Sequence, residues 1–177
     1  MPEQFDLDAA IRKIPDFPKK GILFYDITSV LANPVAFRHC LDSMLRIYKG
    51  ERIDAVAAIE SRGFVFAAPF CERLGLPLLL VRKKGKLPGK TISAKYALEY
   101  GEAEIEMHVE DIPRGGRVLI VDDLIATGGT IKATADLLRA GGAVPAGAFS
   151  VIGLPFLDYA SALEGLEVRT LVEYFGE

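Results

Sequence analysis

Apolar and polar positions along this chain change period repeatedly. Residues 55–59, 78–81 and 118–121 are short, unbroken apolar runs bounded by turn or charged residues, the pattern of strands buried on both faces. Between them the spacing lengthens. Residues 63–74 repeat their apolar positions at helical intervals and end at Gly75; residues 131–140 do the same and end at Gly141. A further strand pattern covers 143–152. Strand and helix therefore alternate as βαβ units, which predicts an α/β fold with a mostly parallel central sheet flanked by helices. Right-handed crossovers would set the loops after Ile59, Val81 and Val121 along the carboxyl edge of that sheet, where open α/β folds bind their ligands.

Before this core, the pattern predicts a short helix over 8–14, a Pro- and Gly-punctuated segment over 15–21, and a helix over 34–48 with Pro34 in its first turn. Residues 92–109 alternate with period two on either side of Gly101-Glu102 and predict a hairpin. A two-residue turn there pairs Tyr100 with Ala103 and Leu98 with Ile105, and sets Glu99 directly opposite Glu104, an unfavourable pairing of like charges. The ordinary reading of Glu102, Glu104 and Glu106 is a solvated acidic face.

At 177 residues, half of them hydrophobic, the chain can bury one substantial core and is too short for two average domains. The expected organisation is one domain over 1–177, with an N-terminal segment over 1–34 and a flexible hairpin loop over 91–109 as appendages. The formal charge of −3, without a basic stripe or any Trp, argues against a nucleic-acid surface. The start has no basic region followed by an apolar one, and no apolar run approaches bilayer length, so neither a membrane nor export is expected and the location read from the sequence is cytoplasmic. Cys40 and Cys71 sit on apolar helical patterns without metal-ligand spacing and read as buried small hydrophobes.

The chemistry concentrates where the third strand ends. Asp122 and Asp123 follow the apolar run, and Ala126, Thr127, Gly128, Gly129 and Thr130 then lead into a helix. Backbone N–H groups, two hydroxyls and the positive end of the helix dipole suit a phosphate, and the glycines let it approach closely. Carboxylates beside a phosphate would repel it unless the ligand also carries donors, such as ribose hydroxyls; the combination describes a sugar phosphate. Neither the G-x-G-x-x-G dinucleotide fingerprint nor a Gly-Lys-Ser/Thr triphosphate loop is present. Ser61-Arg62-Gly63 precedes a helix and offers a second anion site, combining N–H groups with a fork-shaped guanidinium. A run such as Arg82-Lys83-Lys84-Gly85-Lys86 is usually only solvated, but this one follows a buried strand at the ligand edge.

The segment of four apolar residues, two acids, two variable positions, a small residue and Thr-Gly-Gly-Thr resembles the phosphoribosyl pyrophosphate (PRPP) motif of the type I phosphoribosyltransferases. The blocks Phe17-Pro18-Lys-Lys-Gly21-Ile-Leu-Phe24-Tyr25-Asp26-Ile27-Thr28, Glu60-Ser61-Arg62-Gly63-Phe64, Arg82 to Gly89 and Leu98-Glu99-Tyr100-Gly101 are similar to signatures of the adenine phosphoribosyltransferase family, in its order. This resemblance covers nearly the whole chain. It implies the type I phosphoribosyltransferase fold, with the N-terminal segment as a hood, and Mg²⁺-dependent conversion of adenine and PRPP to AMP and pyrophosphate in purine salvage. Asp122 and Asp123 would hold the ribose, the 126–130 loop the 5-phosphate, and Ser61, Arg62, Arg82, Lys83 and Lys86 the pyrophosphate. Mg²⁺ is expected mainly through substrate oxygens and water, with no protein metal site. Glu99 would be carried over the substrates by the flexible loop and handle a purine proton. Leu23, Phe24 and Leu124 would supply apolar surface to adenine, and backbone around Leu23 and Tyr25 would pair with its edge; plain packing is the competing role for Leu23 and Phe24. The resemblance further implies a non-proline cis peptide at Glu60-Ser61 or Ser61-Arg62 and a homodimer in which Arg82 reaches the neighbouring site. Many members carry Arg where this chain has Tyr25, a change that a main-chain contact would survive. The competing functions are a phosphoribosyltransferase for a 6-oxopurine and a non-catalytic regulator sensing PRPP. The latter needs a DNA-binding module for which the chain leaves little room.

Overall fold

In the computed structural model, which describes residues 5–97 and 102–176, the three apolar runs stand side by side at the centre of a seven-stranded sheet. In chain order the elements are α1 (Leu7–Ala10), β1 (Arg12–Pro15), β2 (Leu23–Asp26), α2 (Thr28–Leu31), α3 (Pro34–Ile47), β3 (Ala55–Ile59), α4 (Arg62–Leu74), β4 (Leu78–Lys83), β5 (Thr91–Ala97), β6 (Glu102–His108), β7 (Arg117–Ile125), α5 (Gly129–Ala140), β8 (Val144–Gly153), a 3-10 turn (Pro155–Leu157), α6 (Tyr159–Ala162) and β9 (Val168–Glu173). The sheet runs β5-β6-β4-β3-β7-β8-β9. Its five strands from β4 to β9 are parallel, and the β5-β6 hairpin adds to β4 in antiparallel fashion.

Alternation along the central strands divides the core into two layers. Val56, Ala58, Leu119 and Val121 face Met44, Phe66 and Phe70 from α3 and α4. Ala55, Ala57, Val118 and Ile120 face Ile131, Ala135 and Leu138 from α5. Because β3 is covered on both sides, no polar residue is tolerated there, which explains its unbroken apolar sequence. Truncating a fully buried ring such as Phe70 would cost about 3–5 kcal/mol. Cys40 and Cys71 are free and buried in the first layer; burial pushes their thiols up to about 12 and about 11, so both act as small hydrophobes. No helix among the described residues is long and apolar enough to cross a membrane.

Four local expectations need correction. The helix expected over 8–14 stops at Ala10, and Arg12–Pro15 instead pairs antiparallel with β2, setting Arg12 opposite Asp26 and Ile14 opposite Phe24. Strand pairing outweighs the weak helical pattern, and the Ser29 hydroxyl accepts the Arg12 N–H at 2.8 Å. The strand expected to end at Val121 continues to Ile125, because β8 keeps pairing with it as far as Gly153. In the hairpin, Tyr96 faces Ala103, Ala94 faces Ile105 and Lys95 faces Glu104. The paired residues Tyr96, Ala103, Ala94 and Ile105 keep their expected face, but Glu104 lies opposite a lysine, and the Lys95 ammonium lies 3.4 Å from Glu102. Finally, Glu106 is no part of a solvated face: it is 2% exposed.

The strand β9 and helix α2 are additions that the periodicity did not reveal. Beyond β9, Tyr174 stacks on Tyr25 with ring centroids 3.8 Å apart and donates its hydroxyl to Asp8. Lys13 pairs with the same carboxylate at 2.8 Å. The C-terminal segment thereby anchors the β1-β2 hairpin to the sheet.

Candidate active site

The site begins where neighbouring strands end at different heights. β3 pairs with β7 only as far as Ala58-Val121, whereas β8 accompanies β7 four residues further. From Asp122 onward, one flank of β7 therefore has no strand beside it, and a cavity of about 340 Å³ opens there. Glu60, Ser61, Arg62, Lys83, Asp122, Asp123 and Thr130 contribute to its wall, with Tyr96 and Ile105 of the hairpin closing another side. The loops after β3, β4 and β7 thus converge as their positions in the sequence predict. The Glu60-Ser61 peptide is cis, one of the two locations expected. Gly63 packs the start of α4 against β7 so closely that a Cβ would lie 2.7 Å from the Val121 carbonyl oxygen.

Charge is organised across this cavity. The Arg62 Nε–H donates to Asp123 Oδ2 at 2.5 Å; the aspartate side chain is 7% exposed and the arginine half-exposed. That bond raises the Arg62 pKa and leaves the outer guanidinium edge for a second anion. Asp122 accepts the Asp123 N–H at 2.8 Å. Burial, followed by the adjacent Asp123 charge, holds the Asp122 carboxyl well above its usual range. A ligand with hydroxyl donors would relieve that cost.

A smaller cavity of about 110 Å³ continues along Ala126, Thr127, Gly128, Gly129 and Thr130. Gly128 has φ +79°, a left-handed conformation at the entry to α5. The first helix bond is Lys132 N–H to the Gly128 carbonyl, so the N–H groups of the opening turn have no acceptor within the helix. This is an anion cradle built from backbone.

The basic loop is held differently. Glu60 accepts from Arg82 Nε–H at 3.2 Å, from Arg82 Nη2 at 3.1 Å and from the Lys83 N–H at 3.0 Å; the Arg82 contact is the main reason its pKa is lowered. Arg82 also donates to the Lys86 carbonyl oxygen. Within this chain Arg82 is held by Glu60 and the Lys86 carbonyl oxygen, whereas Lys83 and Lys86 are exposed. Glu106 accepts the Lys86 and Leu87 N–H groups at 2.9 and 3.0 Å and the Thr91 hydroxyl at 3.1 Å. These bonds, the Leu87 amide first, hold its carboxyl at about 2. Neither glutamate stands out in the sequence as a supporting residue. The available signal was Glu60 within the motif block and one acid of a strand face onto which the basic segment could fold.

Among the residues expected around a base, Leu124 lines both cavities. Leu23 is half-buried against the first core layer, and Phe24 packs edge-on against Phe17 with centroids 5.0 Å apart. Tyr25 is 5% exposed under Tyr174, so its side chain serves packing and only its backbone is available to a ligand. Asp26 accepts from the Thr28 hydroxyl and amide and from Arg12, which fixes the end of β2 near Arg62. Glu99 lies outside the described residues.

A parallel sheet whose carboxyl edge joins a carboxylate pair, a backbone anion cradle and an opposed basic loop defines a phosphoribosyltransferase, and a family model described as the phosphoribosyl transferase domain matches residues 26–153. An adenine phosphoribosyltransferase of Treponema denticola is 59% identical over 171 residues, covering 97% of this chain and 90% of that protein. The crystal structure of the enzyme from Thermoanaerobacter pseudethanolicus superposes with a TM-score of 0.91 at 44% identity, covering 95% of this chain and 98% of the other. That of the Saccharomyces cerevisiae enzyme, complexed with an imino-altritol bisphosphate and adenine, gives 0.88 at 37% identity over 94% and 96%. The chain belongs to the adenine phosphoribosyltransferase family, and its fold is that of the type I phosphoribosyltransferases.

Proposed function

We propose that the 340 Å³ cavity transfers the 5-phosphoribosyl group of PRPP to adenine: N9 attacks C1 of the ribose, the bond to the pyrophosphate oxygen breaks with inversion, and AMP and pyrophosphate leave. The observation that carries this reading is the convergence of Arg62, Lys83, Asp122, Asp123 and Thr130 on one cavity. Asp122 and Asp123 accept hydrogen bonds from the ribose hydroxyls. The Ala126, Thr127, Gly128, Gly129 and Thr130 loop donates to the 5-phosphate. Ser61, Arg62, Lys83 and Lys86 face the departing pyrophosphate, and neutralising its developing charge is the largest contribution expected from the protein. Leu124 supplies apolar surface to the base, and the backbone of β2 near Leu23, Phe24 and Tyr25 is placed to pair with its edge. Glu99, on the segment joining β5 to β6, takes the proton that adenine loses.

Among the described residues no group of three or more His, Cys, Asp or Glu side chains is arranged to hold a metal ion. Mg²⁺ is a hard cation suited to phosphate oxygens and water, so the fitting arrangement is one in which it enters with PRPP. When bound it would spread the negative charge of the diphosphate. The functional unit is read as a cytoplasmic homodimer on the strength of the sequence resemblance. The direct test is to offer adenine, hypoxanthine, guanine and xanthine with PRPP, with and without Mg²⁺. Conversion confined to adenine and abolished by chelation is expected; turnover of a 6-oxopurine at a comparable rate would overturn the base assignment. Glu99→Gln should lower kcat about 100-fold or more with little change in KM, and an unchanged kcat with chemistry rate-limiting would remove the proton role.

A further inference from the structure

Glu106 is an unusual place for a charge. It lies on β6 between Ile105 and Met107, all three nearly inaccessible, on the strand that joins the β5 edge to the parallel core of the sheet. A buried carboxylate is costly unless its oxygens are saturated, and an apolar residue of similar size is often at least as stable there. This one is saturated by a single segment. Oε1 receives the N–H groups of Lys86 and Leu87, while Oε2 receives the Thr91 hydroxyl and lies 3.5 Å from the Lys84 ammonium. Two consecutive backbone amides closing on one carboxylate oxygen fix the path of the loop, and three of the four donors lie between Lys84 and Leu87.

The consequence reaches the cavity. With the loop amides turned inward to Glu106 and Arg82 turned aside to Glu60, Lys83 and Lys86 project outward, and Lys83 lines the cavity with Arg62 and Asp122. A free lysine-rich loop would have to be ordered when an anion binds, and that ordering is subtracted from affinity. We infer that Glu106 is a positioning residue, a buried carboxylate that presets the Lys83 to Leu87 segment for the pyrophosphate group by binding its backbone from beneath. This deepens the site assignment made above and rests on it.

The experiment uses the full chain and Mg²⁺-pyrophosphate as probe, with KM for PRPP and for adenine measured alongside. Glu106→Ala should weaken pyrophosphate binding and raise KM for PRPP about 10-fold or more, leave KM for adenine within about twofold, and accelerate hydrogen exchange at the Lys86 and Leu87 amides. Glu106→Gln keeps one oxygen able to accept both amides, and the Thr91 hydroxyl can turn to accept from the new NH₂. It should recover pyrophosphate affinity to within about threefold and restore slow exchange. Lys83→Ala tests the underlying assignment: it should weaken pyrophosphate about 10-fold with exchange at Lys86 and Leu87 unchanged. If Lys83→Ala binds pyrophosphate normally, the loop is not the diphosphate site and the inference falls with it. If Lys83→Ala binds weakly but a folded Glu106→Ala binds normally, or if Glu106→Gln is no better than Glu106→Ala, the positioning role alone is overturned. Should Glu106→Ala not fold, Glu106→Met, an apolar side chain of similar size without acceptor oxygens, takes its place in every comparison.

Discussion

The two loops proposed to hold the phosphate and the pyrophosphate, at the same sheet edge, are built by opposite means. The 126–130 loop is made of its own backbone: a left-handed Gly128, small neighbours, and a helix that starts at Gly129 with unsatisfied N–H groups. The 82–87 loop is held by carboxylates from elsewhere, Glu60 on the turn after β3 and Glu106 on β6, more than 15 residues away on either side. The first loop takes its shape from its own residues. The second takes its shape from what it touches. Damage to the first should therefore come from changing its own residues, and damage to the second also from changing the distant carboxylates that hold it.

Asp123 ties two sides of the cavity together, its carboxylate holding Arg62 while it lines the wall beside Asp122. Replacing Asp122 and Asp123 together by Asn removes charge and acceptor capacity from both sides at nearly constant volume. The fold should survive, and kcat/KM should fall about 1,000-fold, the range for losing transition-state electrostatics. Retention of wild-type kcat/KM by a folded double variant would show the carboxylates to be structural.

Gly128→Ala attacks the self-built loop. An alanine at φ +79° costs about 1–2 kcal/mol, and its Cβ would come within 3.0 Å of the Leu163 side chain. A drop in Tm accompanied by a rise of about 10-fold in KM for PRPP, with KM for adenine little changed, is expected from a displaced cradle. A fall in Tm without any change in KM would mean that the loop recovers its shape on binding.

This contrast also explains what could be read in advance. The strand-acid-glycine-helix segment announces itself because all its parts are contiguous, and so the α/β fold, the sheet edge and the place of the residues from Asp122 to Thr130 along it were legible. The alternation of the hairpin gave the correct faces, but its register depends on where the connection falls, and Lys95 opposite Glu104 is a pairing that periodicity alone cannot choose. Glu106 looked like a solvent-facing acid because nothing in β6 says that the loop after β4 will cover it. Likewise Tyr25 could not be seen as a packing residue before its partner Tyr174 was known, almost 150 positions later. Local chemistry is written locally, and support from distant elements is not.

The loop held from outside gives a smaller and more specific effect. Glu60→Gln and Arg82→Ala should each raise KM for PRPP about 3- to 10-fold, and the double variant should be no worse than either, since both remove one interaction. Full additivity would mean that Arg82 has a separate task. Mixing Arg82→Ala with the inactive Asp122→Asn, Asp123→Asn chain distinguishes the remaining possibility: rescue of about one site per heterodimer places Arg82 in the neighbouring subunit's site, and no rescue after verified exchange keeps it in its own.

The smallest effect is in stability, with the opposite sign to the loss of activity. Asp122 has its folded-state pKa raised by burial and by Asp123, so folding favours its protonated form. Both folded and unfolded chains carry the proton below about pH 3.8, and there the residue costs nothing. As pH rises from that point toward the elevated folded value, the unfolded chain loses its proton first, stability declines, and above the folded value the cost is constant. Asp122→Asn escapes this decline while its amide oxygen still accepts the Asp123 N–H. The single variant should therefore melt a few degrees above wild type at pH 8, about 2–4 °C for each kcal/mol in a domain of this size, with the gap closing toward pH 4. A variant that is less stable than wild type at pH 8 would mean that the ionised Asp122 is satisfied in the free protein, and that the ribose hydroxyls gain nothing by relieving it.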